Sequence, residues 1–228
     1  MYLQHIDFEQ TESFLIPEVS VYDARRDDDI VVRDIYIDAD YVRDSQRRPV
    51  YFDIDEAKSH LEQTGKSLAS LPLLINIYIA LDNLAREHET AAQLLRQLNT
   101  AWDRTATMIN PAGSLVHTDP ILGEIAYEGL DVPLEADSIA ALISRHERFF
   151  QALLGLRDVN RLIDVGTGCG LVPFYWYPRG ERWVMFGGGD FYYVHQHIPG
   201  LLMVFCDDEV HPRREVRGVR QEIQAPHQ

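Results

Sequence analysis

The order of strand-like and helix-like segments constrains the fold more than any other feature of this chain. Residues 29–41 and 50–55 alternate apolar and polar side chains with a period of two, which predicts antiparallel strands with one face in water. Residues 23–29 and 45–49 between them are polar and predict loops or turns. Beyond residue 160 a second group of strand-like segments, separated by Gly and Pro, covers 161–165, 171–177, 182–186, 190–197 and 201–206.

Two main helices are predicted between these groups, at about 83–109 and 137–154. In the first, apolar side chains recur at steps of three, four or seven, at Leu84, Ala91, Leu95, Leu98, Trp102 and Ile109. We expect Asp137 to cap the second and Gly155 to end it. A short helix over 55–64, capped by Asp55, is also predicted, and the apolar run 71–81 favours a buried strand.

These segments predict an α+β fold, with mostly antiparallel strands at both ends packed against the two main helices. We expect one domain over 1–228 with a polar C-terminal tail at 207–228. An alternative division places the boundary between 1–112 and 113–228. One strand-like segment of five residues, at 125–129, is expected in the otherwise loop-like stretch before the second main helix.

The charge of the chain limits its partners. The 36 acidic residues outnumber the 21 basic ones, so the formal net charge is −15. This balance opposes broad binding to nucleic-acid backbone or to an anionic membrane, because both need a positive surface. All the basic residues except Lys58 and Lys66 are arginines, whose planar fork suits persistent ion pairs; a GC-rich coding sequence explains the same bias.

The sequence carries few signs of a cellular location. Its first residues lack the basic and apolar regions of a signal peptide, and its apolar runs are too short to cross a bilayer. We therefore expect a protein that is neither secreted by a signal peptide nor transmembrane, and that lies in the cytoplasm or within a virus-like particle. Cys169 and Cys206 could pair or remain reduced.

One glycine-rich stretch suggests a cofactor. The segment Leu162–Gly170, with the sequence LIDVGTGCG, predicts a strand followed by a glycine turn. It resembles the first motif of Rossmann-like S-adenosylmethionine-dependent methyltransferases. The resemblance implies that Asp164, Gly166 and Gly168 would contact the cofactor and that Asp190 would bind its ribose. A β-hairpin turn in an antiparallel sheet explains the same glycines.

A pair of histidines suggests a metal. His195 and His197 stand two residues apart on a predicted strand, so both imidazoles would point to one face. Their spacing from Gly189 resembles part of the metal motif of cupins, a β-barrel family, although Leu201 or Leu202 stands where that family has Glu. Two half-exposed histidines on an edge strand are the simpler interpretation.

A third interpretation is a non-enzymatic subunit of a larger protein assembly, and we take it as the prediction. The C-terminal region carries four arginines, Arg213, Arg214, Arg217 and Arg220, on an otherwise acidic protein. Complementary contacts between acidic N-terminal loops and this basic patch would join copies head to tail. We expect protein partners, either in a homo-oligomer or in a multi-protein assembly such as a virus or phage particle with neck- or tail-type components. No catalytic, metal or cofactor-binding residue is assigned, and no cofactor is expected.

Overall fold

The computed structural model describes residues 12–100, 102–176, 180–193, 196–206 and 216–221. The strands in these residues are β1 (Ser13–Asp23), β2 (Asp28–Asp38), β3 (Ser67–Leu68), β4 (Trp102–Asn110), β5 (Ser114–Asp119), β6 (Gly123–Tyr127), β7 (Asp137–Ser138), β8 (Val172–Tyr175), β9 (Arg182–Tyr193), β10 (Gln196–Cys206) and β11 (Gly218–Gln221). The helices are α1 (Ile54–Gln63), α2 (Leu71–Leu84), α3 (Glu89–Leu98), α4 (Ile139–Leu154) and α5 (Asn160–Gly168).

The first sheet joins the two ends of the chain. Its strand order is β1-β2-β11-β3, and all neighbours are antiparallel. β1 and β2 form a long hairpin whose register runs from Ser13 opposite Asp38 to Asp23 opposite Asp28. β11, from the C-terminal region, pairs with β2 on one side and with β3 on the other. Part of the segment expected to be a polar tail is therefore an interior strand; Val219 within it and Val216 just before it are buried.

The second sheet has the order β6-β5-β4-β9-β10-β8-β7, and only the β10–β8 pair is parallel. Its central strand β9 passes close to the end of α3. A Cβ atom at Gly188 would lie 2.0 Å from the backbone oxygen of Asn99, so only glycine allows this approach. The α+β fold class predicted from the sequence is confirmed, as is the mostly antiparallel pairing.

A helix that is buried over most of its length occupies the centre of the molecule. α2 packs against β1, α3 and α4, and its residues from Leu71 to Ile79 are all buried. Its one buried amide, Asn76, donates hydrogen bonds to the carbonyl oxygens of Pro72 and Gly155. The main apolar cluster takes side chains from both sheets as well as from α2 and α4. Whether the chain divides at 112 stays a prediction.

Four of the predicted elements are wrong, one of them the strand predicted at 161–165, which lies in α5. The run 71–81 is a helix rather than a strand, because burial on every side removes the one-sided periodicity that identifies a helix. The helix predicted at 83–109 ends at Leu98, and β4 begins at Trp102. Residues 50–55 supply a single bridge residue, Phe52, and then the start of α1 instead of a strand.

The helix predicted at 137–154 is confirmed as α4. Its N-cap is Ser138 rather than Asp137, and the Ser138 hydroxyl accepts a hydrogen bond from the backbone N–H of Ala141. Gly155 ends the helix as predicted, with a positive φ of 60°. The strand expected at 125–129 is confirmed as β6, although β6 begins two residues earlier.

The cap of α1 gives a first testable prediction. Asp53, not Asp55, is the N-cap: its carboxylate accepts from the Glu56 N–H at 2.8 Å, and the Glu56 side chain accepts from the Asp53 N–H at 3.2 Å. We expect Asp53→Ala to lower the free energy of unfolding by about 1 kcal/mol, since helix donors lose their acceptor. Asp55→Ala, the matched control, should cost less than about 0.5 kcal/mol. Urea unfolding of both variants checks this, and equal losses would contradict it.

Candidate interaction site

Arg217 is the centre of a buried group of polar side chains. Its side chain is 2% exposed. Its Nη1 donates to the backbone oxygen of Asp38 at 2.6 Å, and its Nη2 donates to Oε1 of Gln97 at 2.8 Å. The guanidinium stacks on the ring of Tyr41, 4.5 Å from the centroid, and its Nε lies 3.5 Å from Oδ1 of Asp103. Arg217 therefore connects β11 to β2, α3 and β4.

The charges in this group support one another. Burial raises the pKa of Asp103, and the attraction of Arg217 and the hydrogen bond from the Tyr41 hydroxyl oppose that rise. Burial would lower the pKa of Arg217, but the Asp103 carboxylate and Tyr41 outweigh it, so the pKa of Arg217 is raised. Burial also raises the pKa of Tyr41. The guanidinium thus stays charged and Tyr41 stays a hydrogen-bond donor at every physiological pH.

The Asp38 side chain also binds the same segment of the chain. Its Oδ2 accepts from the backbone N–H of Gly218 at 3.2 Å. Its Oδ1 accepts from Nζ of Lys66 at 2.7 Å and from the hydroxyl of Ser13 at 3.0 Å. A Cβ atom at position 218 would lie 2.8 Å from Oδ2 of Asp38 and 2.7 Å from Cδ of Lys66, so a larger residue here would displace these side chains. One carboxylate therefore links β1, β2, β11 and the residue before β3.

A groove runs beside β11 on the side away from β2. We call it the β11 groove. It has a volume of about 320 Å³ and is lined by Glu62, Gly65, Lys66, Ser67, Pro120, Ile121, Val219, Arg220 and Gln221. A smaller cavity of about 140 Å³ shares three of these residues and adds Lys58 and Leu68. The end of α1, β3 and the turn at Pro120 thus form its walls, and β11 forms its floor.

The groove contains an unpaired stretch of sheet edge. β11 pairs with β2 through Val219, Arg220 and Gln221, but with β3 only through Gly218 and Val219. Among the described residues, no strand pairs with β11 beyond Val219 on this side; because the backbone groups of successive residues face opposite edges and those of Gly218 face β2, it is the N–H and C=O of Gln221 that face the groove. Backbone groups at such an edge can form hydrogen bonds with an added extended segment.

The groove is also basic. Both lysines of the chain line it or its side cavity, together with Arg220 and one acidic residue, the exposed Glu62, so basic residues outnumber acidic ones three to one. Lys66 is paired with the buried Asp38, whereas Lys58 and Arg220 form no ion pair with any described residue. The Lys58 ammonium lies 4.6 Å from the Trp183 ring centroid, and the exposed Arg220 guanidinium lies 4.8 Å from that of Tyr36. These two cations remain available to a carboxylate.

Of the four arginines predicted to bind a partner, two lie within the described residues. Arg220 lines the β11 groove, but Arg217 is wrong as a partner residue because its buried guanidinium is bonded within the chain. Arg213 and Arg214 lie outside the described residues. Sequence reasoning missed Lys58 and Lys66 as site residues. Their presence as the only lysines, one within a predicted short helix and one just after it, was the available signal.

The glycine-rich segment forms a different structure from the one predicted. Its residues from Leu162 to Gly168 belong to α5, so no strand precedes a glycine turn here. Gly166 lies inside this helix against the ring of Pro173, 2.8 Å from where a Cβ atom would stand. The strand-and-loop geometry on which the methyltransferase resemblance depends is therefore not formed. Asp190 lies in β9 of the antiparallel β9–β10 hairpin.

The proposed metal ligands cannot be placed. His195 lies outside the described residues, and only the backbone of His197 is described, in β10. Within the described ranges, no group of three or more His, Cys, Asp or Glu side chains is arranged to hold a metal ion. Cys169 is a free thiol. None of the helices formed by the described residues combines the length and apolar character that a membrane crossing needs.

Comparison with known proteins adds no assignment. No protein-family model, no curated protein and no solved structure matches this chain.

Proposed function

We propose that this chain is a non-enzymatic subunit of a larger protein assembly, such as a virus or phage particle, and that copies associate through the β11 groove. The observation that carries the proposal is the unpaired backbone edge at Gln221, flanked by two cations without an acidic partner among the described residues. An extended protein segment that carries carboxylates satisfies both features at once.

The two features contribute in different ways. Backbone hydrogen bonds along β11 would supply affinity for any extended segment. Lys58 and Arg220 would favour acidic segments and raise the rate of encounter. On a protein of net charge −15, a locally basic groove also selects the orientation of approach, because most other pairs of surfaces on two copies repel each other. The same net charge disfavours broad nucleic-acid binding.

Charge reversal in the groove tests this function. We expect the wild-type chain to sediment as a species heavier than one 26.2 kDa chain, in a concentration-dependent manner. The double variant Lys58→Glu, Arg220→Glu should raise the apparent dissociation constant at least about tenfold, because repulsion replaces attraction. Added salt should weaken the wild-type association and have a smaller effect on the variant. Sedimentation velocity over a dilution series measures both effects.

A surface arginine elsewhere provides the matched control. Arg161 is exposed on α5, so Arg161→Glu reverses a charge away from the groove and should leave association unchanged. A wild-type chain that remains a single 26.2 kDa species at the highest concentrations reached would contradict the proposed function. Equal weakening by the groove variant and by Arg161→Glu would show that net charge, and not the groove, controls association.

A further inference from the structure

We infer that the segment that fills the β11 groove is the N-terminal segment, residues 2–9, of a neighbouring copy of this chain. This inference rests on the proposed function and specifies the partner at the same groove. It depends on three observations: the chemistry of the segment, the lining of the groove, and the place where the described chain begins.

The segment has the chemistry that the groove requires. Its sequence is YLQHIDFE, and no Lys or Arg occurs in the chain before Arg25. In an extended conformation, alternate side chains point to opposite sides, so Ile6 and Phe8 would share one face while Asp7 and Glu9 would share the other. One segment would therefore present an apolar face and an acidic face.

The lining of the groove matches these two faces. Pro120, Ile121 and Val219 provide apolar contacts, and Lys58 and Arg220 provide cations without a described acidic partner. The unpaired edge of β11 can bond to the backbone of an extended strand whatever its side chains. Two carboxylates thus face two cations, and this charge complementarity distinguishes the N-terminal segment from an uncharged apolar segment.

The sheet order favours a neighbour's segment over the chain's own. The Glu12 carbonyl still accepts from the Ala39 N–H, so the chain leaves the described structure beside β2, at the β1 side of the sheet. The groove lies beyond β11, three strand spacings or about 14 Å away. Glu9 and Asp7 are three and five residues from Glu12, which is roughly 10 and 17 Å when fully extended. The backbone of Glu9 would therefore fall short of its own groove, and that of Asp7 would reach it only along a nearly straight path, whereas a neighbour's segment has no such restriction.

The two contact surfaces therefore lie at opposite edges of one sheet. A contact between different surfaces on identical copies is head to tail, and it produces a ring when the rotation closes or a filament when it does not. We expect a ring or filament of more than two chains when each contact runs one way, and a two-fold dimer when two copies exchange their N-terminal segments.

A charge-swap experiment on the full chain tests the assignment. Asp7→Lys, Glu9→Lys should raise the apparent dissociation constant at least about tenfold in sedimentation velocity. The quadruple variant Asp7→Lys, Glu9→Lys, Lys58→Glu, Arg220→Glu should recover association to within about threefold of wild type, because opposite charges face each other again. Asp28→Lys, Asp29→Lys is the matched control, since both positions are exposed at the β1–β2 turn.

The outcomes separate the inference from the proposed function. If the groove variant weakens association but the Asp7, Glu9 variant behaves like the Asp28, Asp29 control, another segment fills the groove; the inference then fails and the function stands. If neither groove nor N-terminal variant changes the mass of an oligomeric wild type, both fail. A single-chain wild type whose groove binds a synthetic 2–9 peptide only after deletion of residues 2–9 would place the segment in its own groove and overturn the assignment to a neighbour.

Discussion

Replacing Arg217 by alanine is expected to lower the free energy of unfolding by about 3–5 kcal/mol, the range found when one partner of a buried ion pair is removed. The substitution leaves the buried Asp103 carboxylate with Tyr41 as its remaining described hydrogen-bond donor, and it frees the Asp38 carbonyl and the Gln97 side chain from their donor. Such a loss is a large fraction of the stability of a typical domain, about 5–15 kcal/mol.

Two further variants identify the cause of the loss. Arg220→Ala, the matched control on the same strand, removes an exposed arginine that only stacks on Tyr36 and should cost less than about 1 kcal/mol. The double variant Arg217→Met, Asp103→Leu removes both charges and should recover most of the lost stability, because no buried charge is left without a partner. Urea unfolding measures all three.

If Arg217→Ala does not fold, the double variant still tests the cause of the instability. It should fold if the unpaired Asp103 carboxylate is what prevents Arg217→Ala from folding. An Arg217→Ala protein within about 1 kcal/mol of wild type would show that the buried ion pair contributes little to stability.

The same residue shows why the site was only partly predictable. A run of four arginines in a polar segment predicts an exposed basic patch, and Arg220 fits that prediction. Arg217 does not, because β11 inserts between β2 and β3, strands about 180 and 150 residues away. Local sequence patterns carry no information on such strand pairing. Asp103, whose carboxylate lies beside Arg217, is also remote from it in sequence.

Helices were predictable where one face meets solvent. α4 has an apolar face and a polar face, so its periodicity and the glycine that ends it were enough to predict a helix. α2 has no polar face, and an apolar run of that length is compatible with either a helix or a strand. In the predicted helix 83–109, Leu95 and Leu98 do lie on one helical face, but Trp102 and Ile109 continued the spacing by coincidence from within β4.

A second large effect is expected at His117, which is completely buried between the two sheets and α4. Its Nε2 lies 3.0 Å from the Ala152 carbonyl oxygen, which can only accept, so the proton is on Nε2. Its Nδ1 must then accept from the Thr107 hydroxyl at 2.8 Å, and that hydroxyl accepts in turn from the Leu71 N–H. A neutral imidazole thus connects β4, β5 and the two helices α2 and α4.

Acid should weaken the fold through this histidine. Burial lowers the pKa of His117 from 6.5 to about 4, with smaller and opposing effects from Arg25 and Asp23. Below pH 6.5 the unfolded chain binds a proton that the folded chain binds only near pH 4. The stability that neutral His117 contributes is therefore complete above pH 6.5 and falls as the pH drops from 6.5 to 4. The loss is about 3 kcal/mol at pH 4, at 1.36 kcal/mol per unit of pKa difference.

The variant His117→Gln isolates this contribution. Its amide can still donate to the Ala152 carbonyl, but it does not titrate, and it leaves the Thr107 hydroxyl without its acceptor. We expect the variant to be less stable than wild type by about 1–3 kcal/mol at pH 7.5. The difference should shrink or change sign by pH 4, because only wild type carries the cost of protonation. Buried carboxyl groups such as Asp103 and Asp119 titrate in both proteins, so their effects cancel in the difference.

Urea unfolding at several pH values between 7.5 and 4 measures that difference, with His88→Gln as the control at an exposed position. The control should follow the wild-type pH dependence throughout. A constant difference between wild type and His117→Gln over this range would mean that His117 does not couple folding to protonation. It would also contradict the assignment of the imidazole proton to Nε2, because that tautomer and the pH dependence both require a neutral, buried imidazole. The hydrogen-bonded connection from Leu71 to Ala152 depends on the same tautomer.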